Sequence, residues 1–197
     1  GEDNDSKKLS NDYLNALDDL VVAPKIKTKI LQEIKRLDYL PEGHPERAVV
    51  QSYLDTILSL PWNNVSNEEL DIETVKKSLA KSHYGLEAIK NRILEYVAVK
   101  RRNPKVKNPV LCLVGAPGVG KTSISIAIAK ALNREFYKLS VGGLNDVAEL
   151  MGNRRTYLGS NMGKIMQAIK KSQVKNPVIL IDEVDKMVKS YNGDPAS

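Results

Sequence analysis

The stretch "GAPGVGKTS", residues 115–123, constrains this chain more than any other. It fits G-x-x-x-x-G-K-[ST] through Gly115, Gly120, Lys121 and Thr122. Glycines let the backbone curl until several N–H groups point at one anion, and a helix starting at the lysine adds its positive end there. The apolar run "VLCLV" before the stretch reads as a strand, and residues 121–132 after it read as a helix. Strand, glycine-rich turn and helix in that order predict a phosphate-binding loop. Its expected binding residues are Gly115, Ala116, Pro117, Gly118, Val119, Gly120, Lys121, Thr122 and Ser123. Lys121 would reach the β- and γ-phosphates of ATP, and the Thr122 hydroxyl would ligate Mg²⁺.

A second signal lies downstream. "VILIDEVDK" sets Asp182 and Glu183 at the end of another apolar run. In an open parallel sheet, ligands bind beyond the carboxyl ends of the strands. Asp182 is expected to bind the nucleotide by holding Mg²⁺ through its water shell. Glu183 is the expected catalytic residue, polarising the attacking water. The competing reading is that the two acids cap the following helix, which would be preferred for an isolated acidic pair.

The periodicity supports an α/β chain with a helical preface. Residues 11–60 read as three helices, with apolar repeats at Leu14, Leu17 and Val21, at Ile26, Ile30, Ile34 and Leu37, and at Val49, Val50, Tyr53, Leu54, Ile57 and Leu58. Pro24 and Pro45 suit first turns, and Pro61 ends the third helix. Residues 1–62 are therefore expected to be a helical unit and 63–70 a linker. Residues 71–197 are expected to form the first part of an α/β module. In that part Ile72, Val75 and Leu79 mark one helix. Leu86, Ile89, Ile93, Tyr96 and Val97 mark another, and 100–107 a basic loop. Strands then alternate with helices through "FYKLSV", a helix near 162–171, and "PVILI", the pattern of a parallel sheet flanked by helices.

Composition excludes several alternatives. No apolar run is long enough to span a membrane. Cys112 is the sole cysteine, so no intrachain disulfide forms; its place in an apolar run predicts a buried, inert thiol. The polar start "GEDNDSKKLS" resembles neither a signal peptide nor a transit peptide, which fits a protein that is not secreted. The net charge of +6 is explained by a solvated surface. His44 and His83 stand alone and read as ordinary exposed histidines. Trp62 reads as a structural anchor at the end of the third helix.

Beyond these motifs the chain resembles the AAA+ ATPases, and among them the Lon proteases. The resemblance rests on "YLDTILSLPW", "HYGLEAIKNRILEYVAV", "LCLVGAPGVGKTS", "GNRRTYLG" and "NPVILIDEVDK" through "GDPAS", all in Lon order. It implies a P-loop AAA+ parallel sheet, incomplete here, after a small three-helix unit. It also implies the ATPase and unfoldase part of an ATP-dependent, hexameric serine protease. The Ser-Lys peptidase, the lid, the sensor residues and the arginine finger are then expected beyond Ser197. This chain alone is expected to be largely monomeric and inactive. By the same resemblance Tyr84, Gly85 and Leu86 line the purine pocket. Tyr157 and Leu158 sit on the loop that grips unfolded or misfolded protein in the central pore. Asn153 and Met162-Gly163 depart from the family pattern there, which bears on the stiffness of that loop. The resemblance places the protein in a bacterial cytoplasm or a mitochondrial matrix, with weak DNA contact at the basic run conceivable and no membrane. The alternative, from another class, is a DNA-associated AAA+ factor of the initiator or clamp-loader kind. It accounts for the phosphate loop but not for "HYGLE", "RRTYLG" and "SLPW" together.

Overall fold

The computed structural model describes residues 2–144, 146–152 and 162–187. It contains two compact units. One comprises Gly1–Asn64, Leu139–Lys175 and Asp182–Ser197, and the other comprises Val65–Lys138 and Asn176–Ile181.

The first unit opens with three helices: α1 (Glu2–Asp18), α2 (Pro24–Tyr39) and α3 (Pro45–Leu58). Their apolar faces close on one cluster in which Leu17, Ile30, Ile34, Leu37 and Leu54 are all but fully buried. Each such side chain contributes about 1.5–3 kcal/mol by leaving water. Polar groups fix the arrangement. Tyr13 donates its hydroxyl to Asp55 at 2.7 Å, joining α1 to α3. Arg47, buried, donates through Nη1 to the carbonyls of Leu37 at 3.0 Å and Leu40 at 2.8 Å, closing the end of α2. His44 caps α3, its Nδ1 accepting from the backbone N–H of Glu46 at 3.2 Å. The Trp62 indole donates to the Ile57 carbonyl at 2.6 Å at the other end of that helix. Val21 was expected on the first apolar face. It lies past the end of α1 and is exposed, because the helix stops before reaching it.

The second unit contains α4 (Ile72–Ser82), α5 (Glu87–Arg102) and α6 (Lys121–Ala131). Asp71 caps α4, accepting from Thr74 N at 3.0 Å and from its hydroxyl at 2.8 Å, bonds that lower its carboxyl pKa. Val75 and Leu79 of α4, Ile93, Tyr96 and Val97 of α5, and Ile124, Ala127, Ile128 and Ala131 of α6 form the core. The stretch 63–70 has no regular secondary structure. From Ser66 onward it is tied down: Ser66 and Asn176 exchange N–H···O and amide bonds at 2.8 and 2.9 Å. Arg134 and Glu68, both largely buried, pair at 3.3 Å, and the Tyr96 hydroxyl donates to Glu68 at 2.7 Å. Burial, and then that bond, push the Tyr96 phenol above its usual range.

The sheet is β1 (Phe136–Ser140) beside β2 (Val178–Asp182), and the division between units passes through both strands. Val178 N bonds to Glu135 O at 2.8 Å and Val141 N to Asp182 O at 3.0 Å, a parallel register with both carboxyl ends on one side. After β1 come α7 (Val147–Met151), which the sequence pattern does not announce, and α8 (Lys164–Ser172).

Four further expectations are corrected. Residues 110–114 form no strand among the described residues. Leu111 and Leu113 pack on the core while Val110, Cys112 and Val114 are exposed; a ladder needs a neighbouring strand, which an apolar run does not supply. Cys112 is therefore exposed, because the run buries only alternate residues. Residues 100–102 complete α5 rather than joining a loop. Leu86 is not on the apolar face of α5 but precedes the helix, in left-handed backbone at φ 58°.

Candidate functional site

The expected phosphate loop, residues 115–123, belongs to the second unit. Gly118 and Gly120 have φ of 81° and 93°, a region in which a Cβ is strained. Those two turns deliver the chain into α6 with Gly120 as its N-cap. Residues 115–119 are exposed, and Gly120, Lys121 and Thr122 are partly buried. The Lys121 ammonium bends back over the loop, donating to the carbonyls of Gly115 at 2.6 Å and Ala116 at 2.9 Å. Ser123 donates its hydroxyl to Gly120 O at 2.9 Å, and Ser125 donates to Lys121 O at 2.8 Å. The first turn of α6 is thus stitched on two sides. Ile124, Ala127 and Ile128 anchor the same helix in the core.

Beside this loop lies the corner between α4 and α5. His83 Nε2 is 3.0 Å from Ser123 Oγ, a contact that no spacing rule indicates. Tyr84 is fully exposed, Gly85 has φ 74°, and Leu86 is left-handed and 39 % exposed. A bulky residue in that backbone region costs about 1–3 kcal/mol, and such strain concentrates at ligand clamps.

Asp182 and Glu183 belong to the first unit. Asp182 closes β2 and accepts from Glu183 N at 3.0 Å. Glu183 is left-handed at φ 62° and leads into the 3-10 turn Val184–Lys186, yet its side chain makes no capping bond. Its carboxylate instead accepts from Lys186 Nζ at 2.5 Å and from the Ser140 hydroxyl at 2.9 Å. The Lys186 bond first, and then the Ser140 bond, hold its carboxyl below the usual carboxylate range. The same pairing raises the Lys186 ammonium. Gly142 makes room for this arrangement: a Cβ there would lie 2.7 Å from Glu183 Oε2. The capping alternative for Glu183 therefore finds no support in its hydrogen bonds. Ser140 is a partner of Glu183 that the sequence motifs do not reveal. The signal that could have found it is a hydroxyl ending one strand in parallel register with a strand that ends in acids.

Tyr157, Leu158 and Asn153 lie outside the described residues. Met162 and Gly163 are described. A Cβ on Gly163 would come within 2.4 Å of the Met151 carbonyl carbon and 2.5 Å of Gly152 N, so its backbone lies directly against the end of α7. No group of three or more His, Cys, Asp or Glu residues forms a metal cage among the described residues. Thr122 and Asp182 offer a hydroxyl and a carboxylate. These hard oxygen donors suit Mg²⁺, which completes its shell with water and substrate phosphate rather than with protein.

Residues 111–197 match the model of the ATPase family associated with various cellular activities (AAA). A Lon protease of Halothermothrix orenii is 50% identical over 186 residues, which is 94% of this chain and 24% of that protein. A Lon protease of Clostridioides difficile is 47% identical over 197 residues, 100% of this chain and 25% of that protein. The chain belongs to the Lon protease family. A mitochondrial Lon protease homolog of Drosophila melanogaster is 46% identical over 196 residues, 100% of this chain and 19% of that protein. The chain spans about a quarter or less of the length of these relatives. A likeness that covers the helical preface as well as the phosphate loop sets aside the DNA-associated alternative, which explained only the loop. Membership of an ATPase family carries nucleotide binding with it. No helix among the described residues is long and apolar enough to cross a membrane.

Proposed function

We propose that this chain supplies the ATP-binding and hydrolysing part of an ATP-dependent Lon-type serine protease. The observation that carries the proposal is the phosphate loop itself. Two positive-φ glycines turn its backbone into α6, and Lys121 is held over it by two loop carbonyls. On binding, the γ-phosphate takes the Lys121 ammonium from those carbonyls, and the loop N–H groups bond to the phosphate oxygens. Residues 84–86 receive the base. Thr122 and Asp182 are the residues that would hold Mg²⁺, Asp182 through water. When bound, the cation neutralises charge on the phosphate oxygens. Glu183 orients and polarises the attacking water, its carboxylate keeping acceptor sites free beside its two present donors. Tyr157 and Leu158 grip the polypeptide. In this reading the full-length protein is a homohexamer acting on unfolded or misfolded proteins, in a bacterial cytoplasm or a mitochondrial matrix.

Lys121→Ala in the full-length protein tests the reading. Calorimetry should show ATP binding abolished, since the group that meets the β- and γ-phosphates is gone. Unchanged affinity would overturn the assignment of the loop.

A further inference from the structure

The contact between His83 and Ser123 is not needed to hold the core together. Ser123 is exposed, and the α6 side chains buried in the core are Ile124, Ala127, Ile128 and Ala131. The contact joins two functional stretches: the corner carrying residues 84–86 and the first turn of the phosphate-loop helix. Its direction follows from the hydroxyl proton. Ser123 donates to Gly120 O at 2.9 Å, so at 3.0 Å its oxygen can only accept from the imidazole. His83 therefore carries its proton on Nε2. Its Nδ1 is enclosed and has no hydrogen-bond partner among the described residues. The other end of His83 is held as firmly: Lys90, buried in α5, donates to the His83 carbonyl at 2.8 Å and pairs with Glu87 at 3.1 Å.

A continuous chain of bonds thus runs from Lys90 of α5 to His83, then to Ser123, then to Gly120, where the phosphate loop turns at φ 93°. Immediately after His83 come the fully exposed Tyr84, the positive-φ Gly85 and the strained Leu86. An exposed aromatic and a strained aliphatic residue, bolted at one point to an anion-binding loop, suit a ligand with a flat apolar end and a polyanionic end. We propose that His83 is a positioning residue that sets the distance and angle between the base-contacting corner 84–86 and the phosphate loop. This proposal rests on the nucleotide reading above and adds to it the residue that makes one site of two half-sites.

A two-ended ligand gains from a fixed spacing because the second contact forms without fresh loss of freedom. A ligand that touches only one half-site gains nothing from it. This separates positioning from a general structural role. Calorimetry on the full-length protein would compare ATP with inorganic tripolyphosphate, which meets only the loop. For His83→Ala, ATP affinity should fall about tenfold while tripolyphosphate affinity stays within about twofold. His83→Gln places an amide N–H where Nε2–H stood and should restore ATP affinity to within about threefold. Ser123→Ala removes the acceptor. It should reproduce the ATP loss without adding to that of His83→Ala, and it serves as the second variant should His83→Ala fail to fold. Equal losses for ATP and tripolyphosphate, or no loss for either, would overturn the proposal while the parent reading stood. If Lys121→Ala also left ATP affinity intact, the nucleotide reading and this proposal would fall together.

Discussion

Ser140 and Glu183 stand at the carboxyl ends of neighbouring parallel strands, and the Ser140 hydroxyl donates to the Glu183 carboxylate at 2.9 Å. With Lys186 as the second donor, the proposed general base is held in place and also restrained. Glu183→Gln should keep ATP binding and lose turnover by about 10²–10⁴-fold, the usual worth of a positioned base. Ser140→Ala removes one restraint. The carboxylate then loses one of the two donors that lower its pKa and becomes the stronger base, so basal turnover should rise modestly. A phosphate-release assay reads both. If Ser140→Ala loses activity as Glu183→Gln does, Ser140 supports the base instead of restraining it.

The same pair of donors sets a pH dependence. The folded-state pKa of Glu183 lies below the ordinary 4.5, chiefly because of Lys186. The pairing is therefore fully present above about pH 4.5 and is lost as pH falls through the folded value. The acid limb of ATP turnover should lie below the usual carboxylate range wherever Glu183 governs it. Lys186→Met should move that limb upward, since it removes the cation that favours the ionised form. A pH–rate profile in which Lys186→Met leaves the limb in place would show that another group controls it.

The glycine-rich turn into α6 was legible because such a turn needs fixed residues at fixed spacing, and Gly118 and Gly120 take the positive φ that their place in the motif suggests. The helices were legible from the repeats at Ile30, Ile34 and Leu37 and at Val75 and Leu79, all buried. Contacts between distant positions were not legible. His83 and Ser123 belong to different elements, and a lone histidine carries no signal of the hydroxyl it will meet. Ser140 and Glu183 meet only through strand register. Residues 110–114 misled for a related reason. Their apolar run resembled a strand buried on both faces, while only Leu111 and Leu113 find a core. Leu86 fell on the apolar spacing of α5, but the left-handed turn before the helix took it out of register.

Arg134 holds the stretch after residue 64 in place. Its side chain is 8% exposed and pairs with Glu68 at 3.3 Å, while its Nε donates to Asn176 O at 2.6 Å. Arg134→Ala leaves Glu68 largely buried without its cation. Removing one partner of such a pair costs about 3–5 kcal/mol. Denaturant titration of the full-length protein should show that loss in the transition that unfolds α4–α6. An unchanged midpoint would mean that Tyr96 alone satisfies Glu68.

Tyr157 and Leu158 are proposed to act on polypeptide and not on nucleotide. Tyr157→Ala in the full-length protein should spare ATP turnover and slow degradation of a folded substrate. An unstructured peptide, which needs no pulling, should be affected less. Normal degradation of both would remove the gripping role.

Gly163 tests the base of that same segment. It follows the undescribed residues 153–161, and its backbone lies against the end of α7, where Met151 C, Gly152 N and Leu150 O would be 2.4, 2.5 and 2.6 Å from an added Cβ. All three are backbone atoms, so no side chain can swing aside. Gly163→Ala must push the start of α8 away from α7, at about 1–3 kcal/mol if it behaves as other overpacked sites do. The two helices carry the two ends of the segment that holds Tyr157 and Leu158. A displaced base is expected to affect the action proposed for those residues, whereas the expected phosphate loop belongs to the other unit. The variant should therefore show a lower denaturation midpoint and slower degradation of a folded substrate, with nucleotide affinity close to that of the parent protein. If Gly163→Ala degrades folded substrate at the parental rate despite its lower midpoint, the spacing of α7 and α8 does not govern the grip, and Gly163 serves stability alone.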